Sequence, residues 1–167
     1  KNLFKFSLKR KSPIEIVLVV SNNSKAKGLV FAKKKNVKNK VFNFINKKDA
    51  ENKILKELKK EKVDLICLAG FMRVLSKSFI QKFRGKIINI HPSLLPKYKG
   101  LNTHLRAINS KDKKSGATVH FVTEELDAGP IIMQGSVPIF SNDLSEQLSR
   151  RVLEIEHKML VTAVSLI

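Results

Sequence analysis

The sequence has a single cysteine, no tryptophan and one tyrosine, and its acidic residues are outnumbered 14 to 33 by lysine and arginine. One thiol, Cys67, excludes a disulfide framework and suits a reducing, cytoplasmic compartment. Cys67 lies inside Val63-Asp64-Leu65-Ile66-Cys67-Leu68-Ala69, a buried-strand pattern, and reads as a small inert hydrophobe rather than a nucleophile. No apolar run approaches the ~18 residues that span a bilayer, so no membrane association is expected. The histidines lack familiar ligand spacings, so no metal is expected. Repeats, low-complexity tracts and linkers are also missing.

The formal charge of +19 first suggests nucleic acid. Its distribution argues otherwise. The lysines are scattered over nearly every helix and turn, among many asparagines and isoleucines. Arginine, the usual residue of bidentate base and phosphate recognition, is scarce. There is no zinc-finger spacing and no RNA-binding aromatic motif. No nucleic-acid partner is therefore expected. A non-catalytic basic nucleic-acid-binding module stands as the alternative from another class. The positive field would still attract a phosphorylated or carboxylate-rich small molecule.

What is present fits one domain. A chain of 167 residues buries roughly 68–70% of its unfolded surface and needs no staple. Residues 1–11 alternate basic and apolar and read as part of a helix, stopped by Ser12-Pro13. Residues 14–20 are β-branched and almost continuously apolar, the pattern of a strand covered on both faces. Further strands are expected over 41–45, 63–69, 86–91, 116–122 and 131–139. Helices are expected over about 25–35, 49–62, 76–83 and 103–110. A long final helix is expected to start at Asn142-Asp143 with Glu146, and to show Leu148, Val152, Ile155 and Met159 on one face. This alternation implies an α/β fold with a Rossmann-like, open and mostly parallel sheet flanked by helices. The last two strands have no helix between them and are expected to pair antiparallel at one edge.

The run Ile87-Ile88-Asn89-Ile90-His91-Pro92 carries the chemistry. Residues two apart on a strand share a face, so Asn89 and His91 project side by side. Pro92 ends the ladder, leaving both at a strand's carboxyl end, where open α/β sheets place ligand crevices. A plain capped strand end is the competing reading. A second loop holds Asp127 before Ala128-Gly129-Pro130, a turn that directs its carboxylate. An amide that can donate to an oxyanion, an imidazole and a proton-handling carboxylate suit acyl-type transfer. No serine or cysteine is placed as a nucleophile, so direct transfer between two bound substrates is expected. His120 either faces this site or is a satisfied interior histidine. His104 and His157 read as structural or surface groups.

Three segments carry a resemblance. They are Ala69-Gly70-Phe71-Met72-Arg73, then Asn89-Ile90-His91-Pro92-Ser93-Leu94-Leu95-Pro96-Lys97-Tyr98, then His120-Phe121-Val122-Thr123-Glu124-Glu125-Leu126-Asp127-Ala128-Gly129-Pro130. In order and spacing they resemble the folate-dependent formyltransferases, over essentially the whole chain. Lys97-Tyr98-Lys99-Gly100-Leu101, the Asp-x-Gly-Pro turn and Glu156-His157 favour the phosphoribosylglycinamide formyltransferase family. Another folate-dependent formyltransferase or a formyltetrahydrofolate hydrolase is the first alternative.

The resemblance implies transfer of the formyl group of 10-formyltetrahydrofolate, a co-substrate, to the amine of glycinamide ribonucleotide in purine biosynthesis. It implies Asn89, His91 and Asp127 as the catalytic trio, with Asp127 raising the basicity of His91 and moving the amine's proton. It implies folate contacts from Lys47, Met72, Arg73, Val74, Leu75, Asn89, Thr123, Glu124, Glu125, Leu126 and Asp127. It implies acceptor contacts from Pro92, Leu153, Glu154, Ile155 and Glu156. Lys47, Arg73 and Glu156 each also have a plain solvated reading. Asn102 stands where the family often has histidine. The family's first strand and its phosphate-holding loop are missing, so residues 1–167 are expected to form a single formyltransferase domain lacking them, with little transformylase activity. The expected state is a monomer or weak homodimer.

Overall fold

The computed structural model describes residues Lys1–Ile167, which divide into two compact units. The first is Lys1–Ile66 with Phe71–Lys86, and the second is Cys67–Gly70 with Ile87–Ile167.

In the first unit, helix α1 (Asn2–Ser7) is followed by strand β1 (Val19–Ser21), helix α2 (Lys27–Lys34), strand β2 (Asn39–Val41), helix α3 (Lys47–Lys60) and helix α4 (Lys77–Lys82). β1 and β2 pair in parallel, Val19 opposite Asn39. The expected strand over 14–20 therefore shrinks to its last two residues plus Ser21. None of residues 14–20 is fully buried, and the ladder with β2 is only three residues long. β2 starts two residues earlier than expected, where Lys40 reaches Glu57 on α3 and Lys38 reaches Glu61 just past its end.

α3 forms for local reasons. The Asn46 side chain accepts the Asp49 N–H at 3.0 Å. Ala50, Ile54 and Leu58, spaced at four residues, are buried. Glu51 is buried beside them, and its carboxylate accepts the Ser76 N–H at 2.8 Å and the Ser76 hydroxyl. Ser76 caps α4 as expected, its Oγ accepting the Phe79 N–H at 3.1 Å.

The strands of the second sheet are β3 (Leu65–Leu68), β4 (Lys86–His91), β5 (Lys114–Phe121) and β6 (Ile131–Pro138), hydrogen-bonded in that order. β4 and β5 run antiparallel, with Asn89 opposite His120 and His91 opposite Thr118. β5 and β6 are also antiparallel, with a bulge between Val119 and His120. The α/β class and the parallel element hold. Antiparallel pairing nevertheless reaches one strand further into the sheet than the sequence reading placed it. The reason is the connection after His91: its only helix, α5 (Thr103–Asn109), is two turns long.

Helix α6 (Ser145–Ser165) packs on β5 and β6. Its buried face is Leu148, Val152, Met159, Leu160, Ala163 and Val164. A side chain at Gly135 on β6 would press on Met159 of α6, whose thioether would have to shift. The start of α6 differs from expectation. Leu144 is the capping position, and the Gln147 side chain accepts its N–H at 2.8 Å. Asp143 instead accepts the Phe140 N–H and pairs with Arg151. Cys67 sits half-buried in β3, and burial pushes its thiol up to about 11, which keeps it inert.

Candidate active site

β4 supplies the first two groups of the site. Pairing with β5 places His120 directly across from Asn89, so their side chains meet on one face. Asn89 Nδ2 lies 3.3 Å from His120 Nε2. His120 Nδ1–H donates to the Phe121 carbonyl at 2.9 Å, so Nε2 is the acceptor for the Asn89 amide. That bond uses one N–H of Asn89 and leaves the other. Burial, with His120 only 2% exposed, lowers the His120 pKa below 6.5; the Phe121 carbonyl and Asp127 oppose the shift, and His91 adds to it. The ring is therefore neutral around pH 7.

His91 and Asp127 close the figure. His91 Nδ1 is 3.3 Å from Asp127 Oδ2, and both side chains are buried. His91 Nε2–H donates to the Tyr98 carbonyl at 2.9 Å. The Gly100 N–H donates to Asp127 Oδ2 at 2.9 Å, and His120 Nε2 stands 3.7 Å from Asp127 Oδ1. Asp127 takes a left-handed backbone, φ 48°. Asparagine and aspartate tolerate that region better than most side chains. The turn it starts is pressed onto β5: Phe121 N–H donates to the Pro130 carbonyl, and a side chain at Gly129 would collide with the Phe121 carbonyl.

The loop after His91 is anchored by buried polar groups. Thr118 Oγ1 donates to the Ser93 carbonyl at 2.7 Å and accepts the Leu95 N–H at 3.1 Å. Gln134 Nε2 bridges the Leu95 carbonyl and Thr118 Oγ1 at 2.8 and 2.9 Å. The two Thr118 bonds to the loop are buried, so losing a partner there leaves an unsatisfied group, whereas Gln134 reaches them from an exposed position. His104, on the first turn of α5, has a buried Nδ1 without a partner, and burial, with His91 nearby, lowers its pKa.

Asn89, His91 and Asp127, named from sequence, thus converge within the second unit. His120 joins them, resolving the reading left open in the sequence. The Tyr98 carbonyl and the Gly100 N–H also belong to the figure. They are main-chain groups, which residue identity does not announce. Thr123, Glu124, Glu125 and Leu126 form the exposed approach to Asp127, with Glu125 paired to Lys99 at 2.9 Å. Pro92 directly follows the strand.

On α6, Leu153 and Glu154 are exposed, whereas Ile155 and Glu156 are half-buried. Burial raises the Glu156 carboxyl to about 7. Lys47 and Met72–Leu75 belong to the first unit. Lys47 opens α3, 4.0 Å from Glu51. Met72 and Val74 are 77% and 57% exposed, Leu75 is buried, and Arg73 stands over the Phe44 ring at 6.0 Å. No group of three or more His, Cys, Asp or Glu side chains is arranged to hold a metal ion, and no helix is long and apolar enough to cross a membrane.

A family profile described as formyl transferase matches residues 2–164. The chain is 48% identical over 150 residues to a phosphoribosylglycinamide formyltransferase of Haemophilus influenzae, covering 88% of this chain and 71% of that one. It is 44% identical over 156 residues to the trifunctional purine biosynthetic protein adenosine-3 of Gallus gallus, covering 92% of this chain and 16% of that one. A crystal structure of phosphoribosylglycinamide formyltransferase from Brucella melitensis superposes with a TM-score of 0.91 at 43% identity, covering 98% of this chain and 85% of that one.

Proposed function

The chain belongs to the formyl transferase family, and from that premise we propose that it formylates the amine of glycinamide ribonucleotide, a step of purine biosynthesis. The donor we infer is 10-formyltetrahydrofolate, and the compartment is the cytosol. The observation that carries the assignment of roles is the closure of Asn89, His91, His120 and Asp127 by contacts of 3.3 to 3.7 Å.

Attack of an amine on a formyl carbonyl makes a tetrahedral centre with a developing oxyanion, and the amine must lose a proton. The remaining N–H of Asn89 can donate to that oxyanion. His120 holds the Asn89 amide by accepting its other N–H. His91, buried between the Tyr98 carbonyl and Asp127, has an acceptor facing each ring nitrogen. A protonated His91 therefore satisfies both, and Asp127 stabilises that charge. The proton leaving the amine passes to the Asp127–His91 pair and from there to the departing folate nitrogen. The transfer is direct, with no covalent enzyme intermediate.

The family resemblance gives Lys47, Met72, Arg73, Val74 and Leu75 as folate contacts of the first unit. There Met72 and Val74 expose apolar surface, and Lys47 and Arg73 carry positive charge. Thr123, Glu124, Glu125 and Leu126 supply the loop edge near Asp127. On the acceptor side we place Pro92 and the α6 stretch of Leu153, Glu154, Ile155 and Glu156. A bound ammonium would hold the Glu156 carboxylate ionised despite its burial.

The test is a formyl-transfer assay on the full chain with the acceptor varied. Turnover of this chain is expected to be slow, yet faster with glycinamide ribonucleotide than with methionyl-tRNA or water. Hydrolysis of the donor without an amine acceptor would overturn the reading in favour of a hydrolase.

A further inference from the structure

The two main-chain groups that hold the reacting pair come from one short strap, Tyr98 to Asn102. The Tyr98 carbonyl accepts from His91, and the Gly100 N–H donates to Asp127. Every second residue of that strap is in the left-handed region: Tyr98 at φ 57°, Gly100 at φ 80° and Asn102 at φ 58°. Only glycine adopts this conformation freely. The strap therefore leans on whatever grips it from outside.

One side chain does most of the gripping. Arg106, on α5, donates from Nη1 to the Lys99 carbonyl at 2.7 Å and approaches the Leu101 carbonyl at 3.4 Å. Its guanidinium carbon stands 5.1 Å from the centre of the Tyr98 ring. Arg106 thus touches residues 98, 99 and 101, on both sides of the two functional contacts. The other grips are the Tyr98 hydroxyl donating to Asp112 at 2.8 Å, the Ser93 hydroxyl 3.5 Å from the Tyr98 carbonyl, the Arg106 N–H on the Asn102 carbonyl at 3.0 Å, and the exposed Lys99–Glu125 pair. A planar guanidinium can bond carbonyls in its plane and stack on a ring at once, whereas an ammonium cannot. Arg106 is itself exposed, so its removal opens no core.

We propose that Arg106 is a positioning residue that holds the Tyr98–Asn102 strap in the conformation that orients His91 and Asp127. The proposal rests on the reading of those two as the reacting pair. Its test does not depend on that reading. In full chain labelled with 15N, the variants Arg106→Ala and Arg106→Lys are compared with the parent. Three signals are followed: hydrogen exchange at the Gly100 amide, exchange at the Val119 amide in β5, and the 15N resonance of His91 Nε2.

Losing one surface-held bond predicts about tenfold faster exchange at Gly100 in Arg106→Ala. It also predicts a shifted His91 Nε2 signal and unchanged exchange at Val119. Arg106→Lys should recover only part of the protection. In the transfer assay, Arg106→Ala should lower kcat about tenfold with KM within about twofold, the split expected of a lost transition-state arrangement. An unchanged Gly100 amide and His91 signal in Arg106→Ala overturns the proposal. So does equal acceleration at Gly100 and Val119, which marks general loosening. Failure of the function reading would show separately, as a parent chain that hydrolyses the donor or prefers another acceptor while the exchange results still stand.

Discussion

Residues 14–20 and residues 86–91 are both rich in β-branched apolar side chains, and they end differently. The second is a strand along its whole length, β4, with Ile87 and Ile88 buried. Only Val19 and Val20 of the first enter a ladder, and none of the seven is fully buried. The difference lies in the neighbours. β4 lies between β3 and β5 in its sheet, whereas β1 has β2 over three residues. An apolar run nominates a strand; a partner of matching length makes it one. The same neighbours bring His120 of β5 opposite Asn89.

The largest break in this comparison comes at the polar end of β4. Asp127→Asn keeps an acceptor for the Gly100 N–H but removes the charge facing His91. We expect kcat for formyl transfer to fall about 10²–10⁴-fold with the circular-dichroism spectrum unchanged. A loss under threefold would mean that β4 merely ends in a satisfied histidine.

Next in size is the packing contrast. Ile88 is 0% exposed, so Ile88→Ala should cost about 2–5 kcal/mol in urea unfolding. Ile16→Ala, in a half-exposed stretch, should cost about 1 kcal/mol or less. Equal losses at the two positions would erase the distinction between the runs.

The smallest effect concerns pH. The Glu156 carboxyl rises from 4.5 to about 7 on folding. Below 4.5 both folded and unfolded chains hold the proton. Between 4.5 and about 7 only the folded chain does, so stability falls as pH rises through that window and levels off above it. Part of the side chain stays hydrated, so the fall is about 1 kcal/mol. Glu156→Gln should flatten that slope when unfolding is measured at pH 4.5, 6 and 8. An unchanged slope would place the group in water.

Much of the second unit was legible because local and tertiary signals agree there. Lys86–His91 matches its expected bounds, and Thr103–Asn109 falls within the helix expected over 103–110. Asn89 and His91 could be paired from strand alternation alone. The illegible parts depend on partners far along the chain. The truncation of β1 follows from the shortness of β2. The antiparallel setting of β4 against β5 follows from how the loop after His91 returns. His120 could not be assigned a face without its register, and the bulge beside it defeats simple alternation. The groups from Tyr98 and Gly100 are main-chain atoms, whose placement depends on φ rather than on residue type. Glu51 shows the limit at the other extreme: a carboxylate that reads as a solvated helix charge is buried and holds Ser76.

The packing of Gly129 against the Phe121 carbonyl also channels how this loop can vary. With no space for even a methyl group there, position 129 offers mutation no gradual route: a substitution either stays glycine or displaces the Asp127 turn altogether. Three to six residues upstream, Thr123 to Leu126 are exposed. Drift in the loop is thereby confined to the side that would meet the donor, while the carboxylate keeps its address. One chain segment thus joins an exposed, variable stretch to a turn fixed by packing.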